Sequence, residues 1–345
     1  MTDQNIAVYG ASGFTGRLVV AELARRGIPV VLLGRDIKRL RKAATAAGIP
    51  NAELRVAPLD APDALAEALR GNAAVINAAG PFSLWGEPVI RAAIAAGVHY
   101  VDTAGEQGYL KQVFDTFSAA AERGGVTVIP GLADDGGPGD LIAHLTAERV
   151  AQVDELTIAD LRSPSGATRG TARSMLSVSR EDRLSYRDGE WVRTRSASRS
   201  SIAVPGLPEA VPTIEFALPG VITIPRHVGV RRATSALRAE VAEAFRSITP
   251  ELVDAMPEGP AEDVRRGAQW LMAVEVVSTD GQRTTGMAKG VDGYRTTAVI
   301  AVEGARRLVV DGAKPGVLAP AQAFDPADFL DFLAPFGVTW SIEPH

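Results

Sequence analysis

The sequence predicts an α/β fold in which a doubly wound parallel sheet is followed by a second, α+β domain built on a mainly antiparallel sheet. Three observations predict it. Up to about residue 150, short continuous apolar runs alternate with helical patterns, as parallel strands covered on both faces require. Beyond Val150 the runs alternate apolar and polar positions and are joined by two-residue turn signals, the pattern of antiparallel strands. The length of 345 residues, 46% of them apolar, is about two domains' worth at roughly 150 residues each.

The elements follow in order. "IAVYG", "VVLLG", "AELRVAP", "AAVINAAG", "HYVDTAG" and "VTVIPG" each read as a strand of four to six residues ending in a turn, with Ala/Leu/Arg-rich helical segments between them. Further on, "DELTIADL", "GTARSMLSVS", "RLSYRDGEWVR", "RSSIAVPG" and "WLMAVEVVSTDGQRTTGMAKG" read as antiparallel strands, with Asp188-Gly189 and Asp280-Gly281 as turns. The proline-rich stretch from Pro205 to Pro225 reads as a loop over the site or a linker. Two helical patterns close the chain, one from Tyr294 and one from Asp325, where Asp325 suits an N-cap before Pro326 at the first helical position. The expected blocks are residues 1–150 for the parallel-sheet domain, 151–294 for the α+β domain and 295–345 for C-terminal helices packing back on the sheet or on the first domain.

Composition excludes several classes. The net charge is −5 with charges interspersed, so no basic arm points to nucleic acid. There is no cysteine, and the four histidines (His99, His144, His227, His345) have no ligand spacing, so neither a thiolate site nor a structural metal is expected. Every apolar stretch is broken well short of the roughly 18 residues a membrane span needs, and Arg25-Arg26 lies inside a helical pattern rather than an export signal. The expected location is the cytoplasm. The oligomeric state stays open, a homodimer included.

The stretch "AVYGASGFTGRLV" carries the first chemistry. Gly10, Gly13 and Gly16 follow the first strand directly, open a helix and start a strand, helix, strand unit of the right length. In that Rossmann context Gly10 allows the tight turn, Gly13 lets backbone N–H groups approach a diphosphate, and Gly16 lets helix and strand pack closely, with the helix N-terminus facing the negative charge. A bare glycine-rich turn would use the same residues without a ligand. The second strand ends "VVLLGRD", and where an acidic residue would hold a ribose 2′-hydroxyl the chain has Gly34 and Arg35. Arginine suits a 2′-phosphate, and Lys38 and Arg39 lie one helical turn on, so the expected cofactor is NADP(H). Asp36, one residue late for a ribose, suits an N-cap. At the fourth strand's end Asn77, Ala78, Ala79 and Gly80 are small enough to pass beside the cofactor's ribose and nicotinamide.

A nicotinamide would bring the hydride, leaving the protein to position an acceptor and supply a proton. Asp102 and Glu106 stand at a strand end near that position, with Asp134 and Asp135 in the next loop; the alternative role for such carboxylates is capping or fixing loops. Tyr294 is the best aromatic donor, with packing at a helix start as its other role; His144, inside a helical pattern, reads as a partly buried filler rather than an acid, and His227 is a looser candidate. No Tyr-x-x-x-Lys pair occurs, which disfavours the short-chain dehydrogenase chemistry. Between Arg162 and Arg199 lie Arg169, Arg173, Arg180, Arg183, Arg187, Arg193 and Arg195, a face that suits an acidic carrier protein or a phosphopantetheine arm, or one solvated beside Glu181, Asp182, Asp188 and Glu190.

Taken together, "YGASGFTGR", "LLGRD", "NAAGPF", "GVHYVDTAGE" and "GDLIAHL" resemble the saccharopine dehydrogenase-like reductases, the group that includes trans-acting enoyl reductases of polyketide and lipid pathways. Downstream, "RGTARSML", "GVDGYRTTA" and "GVLAPAQAFDPADFLDFLAPFGV" resemble that group's second domain and C-terminal end; Ser196 to Pro225 is the least familiar part. The resemblance implies an NADPH-dependent oxidoreductase with Gly10, Ser12, Gly13, Phe14, Thr15, Arg35, Asn77, Ala79, Gly80 and Pro81 at the cofactor and with Asp102, Gly105 and Glu106 on the pocket floor. One departure stands out: in "GLADDGGPGD" Asp140 is kept, but the serine that precedes it in relatives is Gly139. The expected substrate is a small molecule or a carrier- or CoA-tethered one, reduced at a conjugated C=C of a thioester. The alternatives are a C=N of an amino-acid-like substrate and a non-catalytic NADP-binding sensor.

Overall fold

The computed structural model describes residues 5–178 and 182–344. Along the chain the first elements are β1 (Ile6–Tyr9), α1 (Phe14–Arg25), β2 (Val30–Gly34), α2 (Ile37–Ala46), β3 (Glu53–Val56), α3 (Pro62–Leu69), β4 (Ala74–Asn77) and α4 (Phe82–Ala96). Next come β5 (His99–Asp102), α5 (Gln107–Gly124), β6 (Thr127–Ile129), α6 (Gly137–Ala147), β7 (Val153–Asp160), α7 (Arg169–Val178), β8 (Arg183–Arg187), β9 (Glu190–Thr194), β10 (Arg199–Ile202) and β11 (Val211–Glu215). The rest are α8 (Gly220–Thr223), β12 (Val230–Arg238), α9 (Ala239–Arg246), α10 (Pro250–Ala255), α11 (Glu262–Gly267), β13 (Gln269–Ser278), β14 (Arg283–Val291), α12 (Gly293–Val310), β15 (Gly316–Val317), α13 (Pro320–Ala323), α14 (Pro326–Phe332) and β16 (Thr339–Pro344).

The chain divides into two compact units, each discontinuous in sequence, where three consecutive blocks were expected. The first comprises residues 1–104, 112–133 and 297–318, and the second residues 105–111, 134–296 and 319–345. In the first unit all six expected strands, joined by β15 at one edge, form one parallel sheet of seven in the order β15-β6-β5-β4-β1-β2-β3, with the six in the strand order of a dinucleotide-binding fold. β1 and β4 are buried along their whole length, which is why their apolar runs are continuous rather than alternating. The crossover at β1, where the chain turns first to β2 and later to β4, opens a crevice at the carboxyl ends of these strands.

In the second unit the sheet runs β10-β11-β12-β7-β13-β14-β16, with β8 also pairing β12 and β9 pairing β8. It is mainly antiparallel, as expected, with one parallel pairing of β12 to β7. The β8–β9 hairpin turns at Asp188 and Gly189, both with positive φ (48° and 95°), the geometry an Asp-Gly pair supports. Asp325 caps α14 by accepting from the Asp328 amide.

Two segments depart from the pattern reading. Of "GTARSMLSVS", residues 170–178 lie in the helix α7, not in a strand, and Ser179 lies outside the described residues: the Thr168 hydroxyl accepts from the Thr171 amide at 3.0 Å and starts the helix, and Ala172 is its buried residue. Its short alternation could not be told from one face of a helix. The stretch from Pro205 to Pro225 is not simply a loop, because β11 pairs both β10 and β12 there, and Pro212 sits opposite Ser201.

Candidate functional site

The glycine turn of the first unit is built by crowding. Gly10 has φ +77°, and a Cβ there would lie 2.9 Å from the Ala79 Cβ in the turn after β4. At Gly16 a Cβ would stand 2.1 Å from the Gly10 carbonyl oxygen, so only glycine lets α1 lie this close to the end of β1. Gly13 is the N-cap residue of α1, and no side chain caps that helix. The Gly13 N–H closes the turn onto the Gly10 carbonyl at 2.9 Å, and the backbone through Ser12, Phe14 and Thr15 opens on the positive end of the helix dipole, the setting a diphosphate needs.

At the end of β2 the Arg35 guanidinium lies over the Trp85 ring of α4, 5.4 Å from its centroid, with Arg35 exposed. Asp36 caps α2, accepting from the amides of Lys38 (2.8 Å) and Arg39 (3.2 Å), so its carboxylate is engaged in holding the helix start. The Arg39 guanidinium reaches the Ser12 carbonyl at 3.5 Å, which brings the β2 turn and the glycine turn together.

At the end of β4 the turn through Ala79, Gly80 and Pro81, with a cis Gly80–Pro81 peptide, leads into α4. Asn77 is fully buried, its Nδ2 donating to the Tyr100 hydroxyl (3.0 Å) and its Oδ1 accepting from the Ala79 amide (3.1 Å). The Tyr100 hydroxyl donates in turn to Asp102 Oδ2 (2.9 Å), and Asp102 Oδ1 accepts from the amides of Ala104 (3.1 Å) and Gly131 (2.8 Å). Asp102 is thus a fully buried, fully engaged loop-fixing carboxylate, the alternative role its position allowed.

The remaining acid–base candidates fall in the second unit, and three of their loops meet there. Asp135 Oδ2 occupies the space a Cβ on Gly105 would need, 2.7 Å from it, and Asp134 Oδ2 does the same at Gly293, at 2.3 Å. Glu106 and Tyr294, the residues after those glycines, both bond α7 and its cap. The Ser174 hydroxyl donates to Glu106 at 2.7 Å, and the Tyr294 hydroxyl accepts from the Thr168 amide at 2.9 Å and lies 3.0 Å from the Thr171 hydroxyl. The Arg162 guanidinium pairs with Asp160 (2.6 Å) and Asp134 (3.3 Å).

Three carboxylates thus share one arginine in a buried setting. Burial, and after it the charge of Asp134, pushes Asp135 up to about 7 against the pull of Arg162, while burial also raises Asp160. Burial opposes the charge of Arg162, but Asp160, Asp134 and Asp135 together hold it above its ordinary value. Asp135 is a carboxyl group poised to give or take a proton near neutral pH. Sequence reasoning placed it in the right loop; its contact with Gly105 is tertiary and left no local signal.

His144 and His227 meet through their Nδ1 atoms at 3.0 Å, behind which His227 Nε2 lies 2.9 Å from Asp140. At Gly139 a Cβ would come within 2.9 Å of Ile158 Cδ1 and 3.0 Å of Met272 Cε, so the missing serine corresponds to α6 lying directly on β7 and β13. In the arginine-rich segment Arg183 pairs with Glu215, Arg195 with Asp182, Arg199 with Glu243 and Arg173 with Asp254; of the expected acidic partners, only Asp182 takes part in these pairs. Arg180 and Glu181 lie outside the described residues. Among the described residues no helix is long and apolar enough to cross a membrane, and no group of three or more His, Cys, Asp or Glu could hold a metal ion.

Comparison with known proteins agrees with this geometry. Residues 6–129 match the family model described as the saccharopine dehydrogenase NADP binding domain. A saccharopine dehydrogenase-like oxidoreductase of Homo sapiens is 30% identical over 204 residues, 54% of this chain and 44% of that protein. A trans-acting enoyl reductase of Mycobacterium leprae is 32% identical over 154 residues, 43% of this chain and 36% of that protein. A lipid droplet localized protein of Caenorhabditis elegans is 35% identical over 151 residues, 41% of this chain and 35% of that protein. The match spans less than half the length of each of these relatives. The structure of saccharopine dehydrogenase (L-Glu forming) from Saccharomyces cerevisiae superposes with a TM-score of 0.64 at 16% identity, covering 99% of this chain and 100% of that one. Residues 6–129 are accordingly a saccharopine dehydrogenase-type NADP-binding domain, and the chain has the saccharopine dehydrogenase fold.

Proposed function

We propose that the chain is an NADPH-dependent reductase that acts on the polarised C=C of an enoyl thioester in a biosynthetic sequence. The observation that carries the reading is the uncapped glycine turn of an NADP-binding family domain, followed at the next strand end by Arg35 rather than an acidic residue. In this reading the backbone at Ser12, Phe14 and Thr15 holds the diphosphate, with Gly10, Gly13 and Gly16 shaping the turn. Arg35, backed by Trp85 and assisted by Arg39, takes the 2′-phosphate. Asn77, Ala79, Gly80 and Pro81 line the approach to the ribose and nicotinamide.

NADPH, when bound, supplies the hydride. The chain's own residues then polarise the acceptor and deliver a proton to the carbon beside the carbonyl, and Asp135 is the group whose acid form is populated at neutral pH. Tyr294 and Glu106 are each tied to α7 by a hydrogen bond. A substrate tethered to an acidic carrier would meet Arg187 and Arg193, exposed on the β8–β9 hairpin. A C=N substrate of amino-acid type would require an arginine for its carboxylate, and Arg162 is already committed to Asp160 and Asp134.

The test is loss of NADPH absorbance against a panel of enoyl-pantetheine thioesters and a panel of 2-oxo acid and amine pairs. Turnover of the thioesters alone supports the proposal, and turnover of the imines alone replaces it with the C=N reading. Tight NADPH binding without any turnover points to a sensor.

A further inference from the structure

We infer that a cleft in the second unit, separate in chemistry from the NADP-binding turn, binds a small organic ammonium ion at the open end of an Asp140–His227–His144–Glu148 chain. The cleft holds about 700 Å³ and is lined by both histidines and Glu148. Asp140 is fully buried on α6, where its Oδ2 accepts from the Ala321 amide (2.9 Å) and its Oδ1 meets His227 Nε2 (2.9 Å). His227 is itself 5% exposed, whereas His144 is 26% and Glu148 61% exposed, so the chain runs from the interior to the surface.

The polarity of the chain follows from its buried end. Burial alone would raise Asp140, but the hydrogen bonds it accepts from His227 and from the Ala321 amide hold the carboxyl below its ordinary value, so it is an acceptor only. His227 Nε2 must then carry a proton and donate. With one proton per ring, His227 Nδ1 accepts and His144 Nδ1–H donates across the 3.0 Å contact. That leaves the lone pair of His144 Nε2 facing the cleft, 3.5 Å from the Glu148 carboxylate. Two acceptors side by side call for a donor between them or a proton on the chain, and burial together with the neighbouring His227 lowers His144 and resists the proton.

The rest of the lining fixes the ligand's charge and shape. Asp154 and Asp188 face the same cleft with Arg231, whose guanidinium is bidentate to Asp154 (2.5 and 2.9 Å), so with Glu148 the acids outnumber the cation. Val153, Val228 and Val230 give it an apolar wall that suits a short alkyl chain. An anionic coenzyme or a phosphopantetheine arm is the wrong sign here. A proton taken up by the chain turns the His144 proton toward Glu148 and closes the acceptor pair, so binding weakens as pH falls.

The probe is n-butylammonium chloride, titrated calorimetrically into the whole chain at pH ~8, above the ordinary histidine range, with n-butanol as the uncharged control. Binding of the amine alone is expected, weakened about tenfold or more by His144→Leu and by Glu148→Gln, the loss of one charge-assisted hydrogen bond, and weakened in the wild type as pH is lowered. Imidazole ¹⁵N spectra of the wild type are expected to show the proton of His144 on Nδ1 and that of His227 on Nε2. Absence of amine binding, equal binding of n-butanol, indifference to both substitutions, or a proton on His144 Nε2 at that pH overturns the inference.

Discussion

Asp135 illustrates how a single residue's environment becomes measurable without any substrate. Its acid form is favoured by burial and by Asp134. The stability it contributes is therefore complete below the ordinary carboxylate range and is lost as pH rises through about 7. The melting temperature of the wild type is expected to fall between pH ~5 and ~8, and Asp135→Asn is expected to flatten that decline, as thermal unfolding followed by circular dichroism would show. An unchanged slope would mean that Asp135 ionises normally. At this scale legibility divides sharply. The turn at Gly10, Gly13 and Gly16 could be read because a turn between consecutive elements is a local matter. Asp135 against Gly105, Asp134 against Gly293, and His144 against His227 could not, because each contact joins segments far apart in the chain.

Elements carry two further predictions. The cap at Asp36 holds the start of α2, so Asp36→Ala is expected to cost about 1 kcal/mol in a denaturant titration and to leave the choice between NADPH and NADH unchanged. A changed preference would make Asp36 a ribose ligand after all. Gly139 lies where α6 touches β7 and β13, so Gly139→Ser is expected to destabilise by about 1–3 kcal/mol through overpacking; no loss of stability would show that Ile158 and Met272 can yield. Elements were legible where one force acts alone, as in the fully buried β1 and β4 or the Asp325-Pro326 helix start. They were misread where forces compete: α7 mimics alternation over too few residues, and β11 keeps its pairing despite Pro212.

For the whole molecule, the parallel sheet of six strands followed from the alternation of strand and helix, while their order in the sheet is tertiary. The seventh strand did not, since Gly316–Val317 has only two residues and takes its identity from the partners Thr127 and Val128. Nor did the interleaving of the two units, because no composition shift marks residues 105–111 or 297–318 as belonging away from their neighbours in sequence. Coenzyme binding is expected to stabilise the folded state by about 2.7 kcal/mol at a hundredfold excess over Kd. In hydrogen exchange it is expected to slow the amides at the β1–α1, β2–α2 and β4–α4 turns; unchanged exchange at all three would place the coenzyme elsewhere.

The central claim is that the cation after β2 selects the phosphorylated coenzyme, and fluorescence titration of the wild type and Arg35→Glu with NADPH and NADH tests it most directly. The account predicts at least about tenfold tighter binding of NADPH by the wild type and loss of that preference on charge reversal. A preference for NADH, or a preference that survives Arg35→Glu, would contradict it.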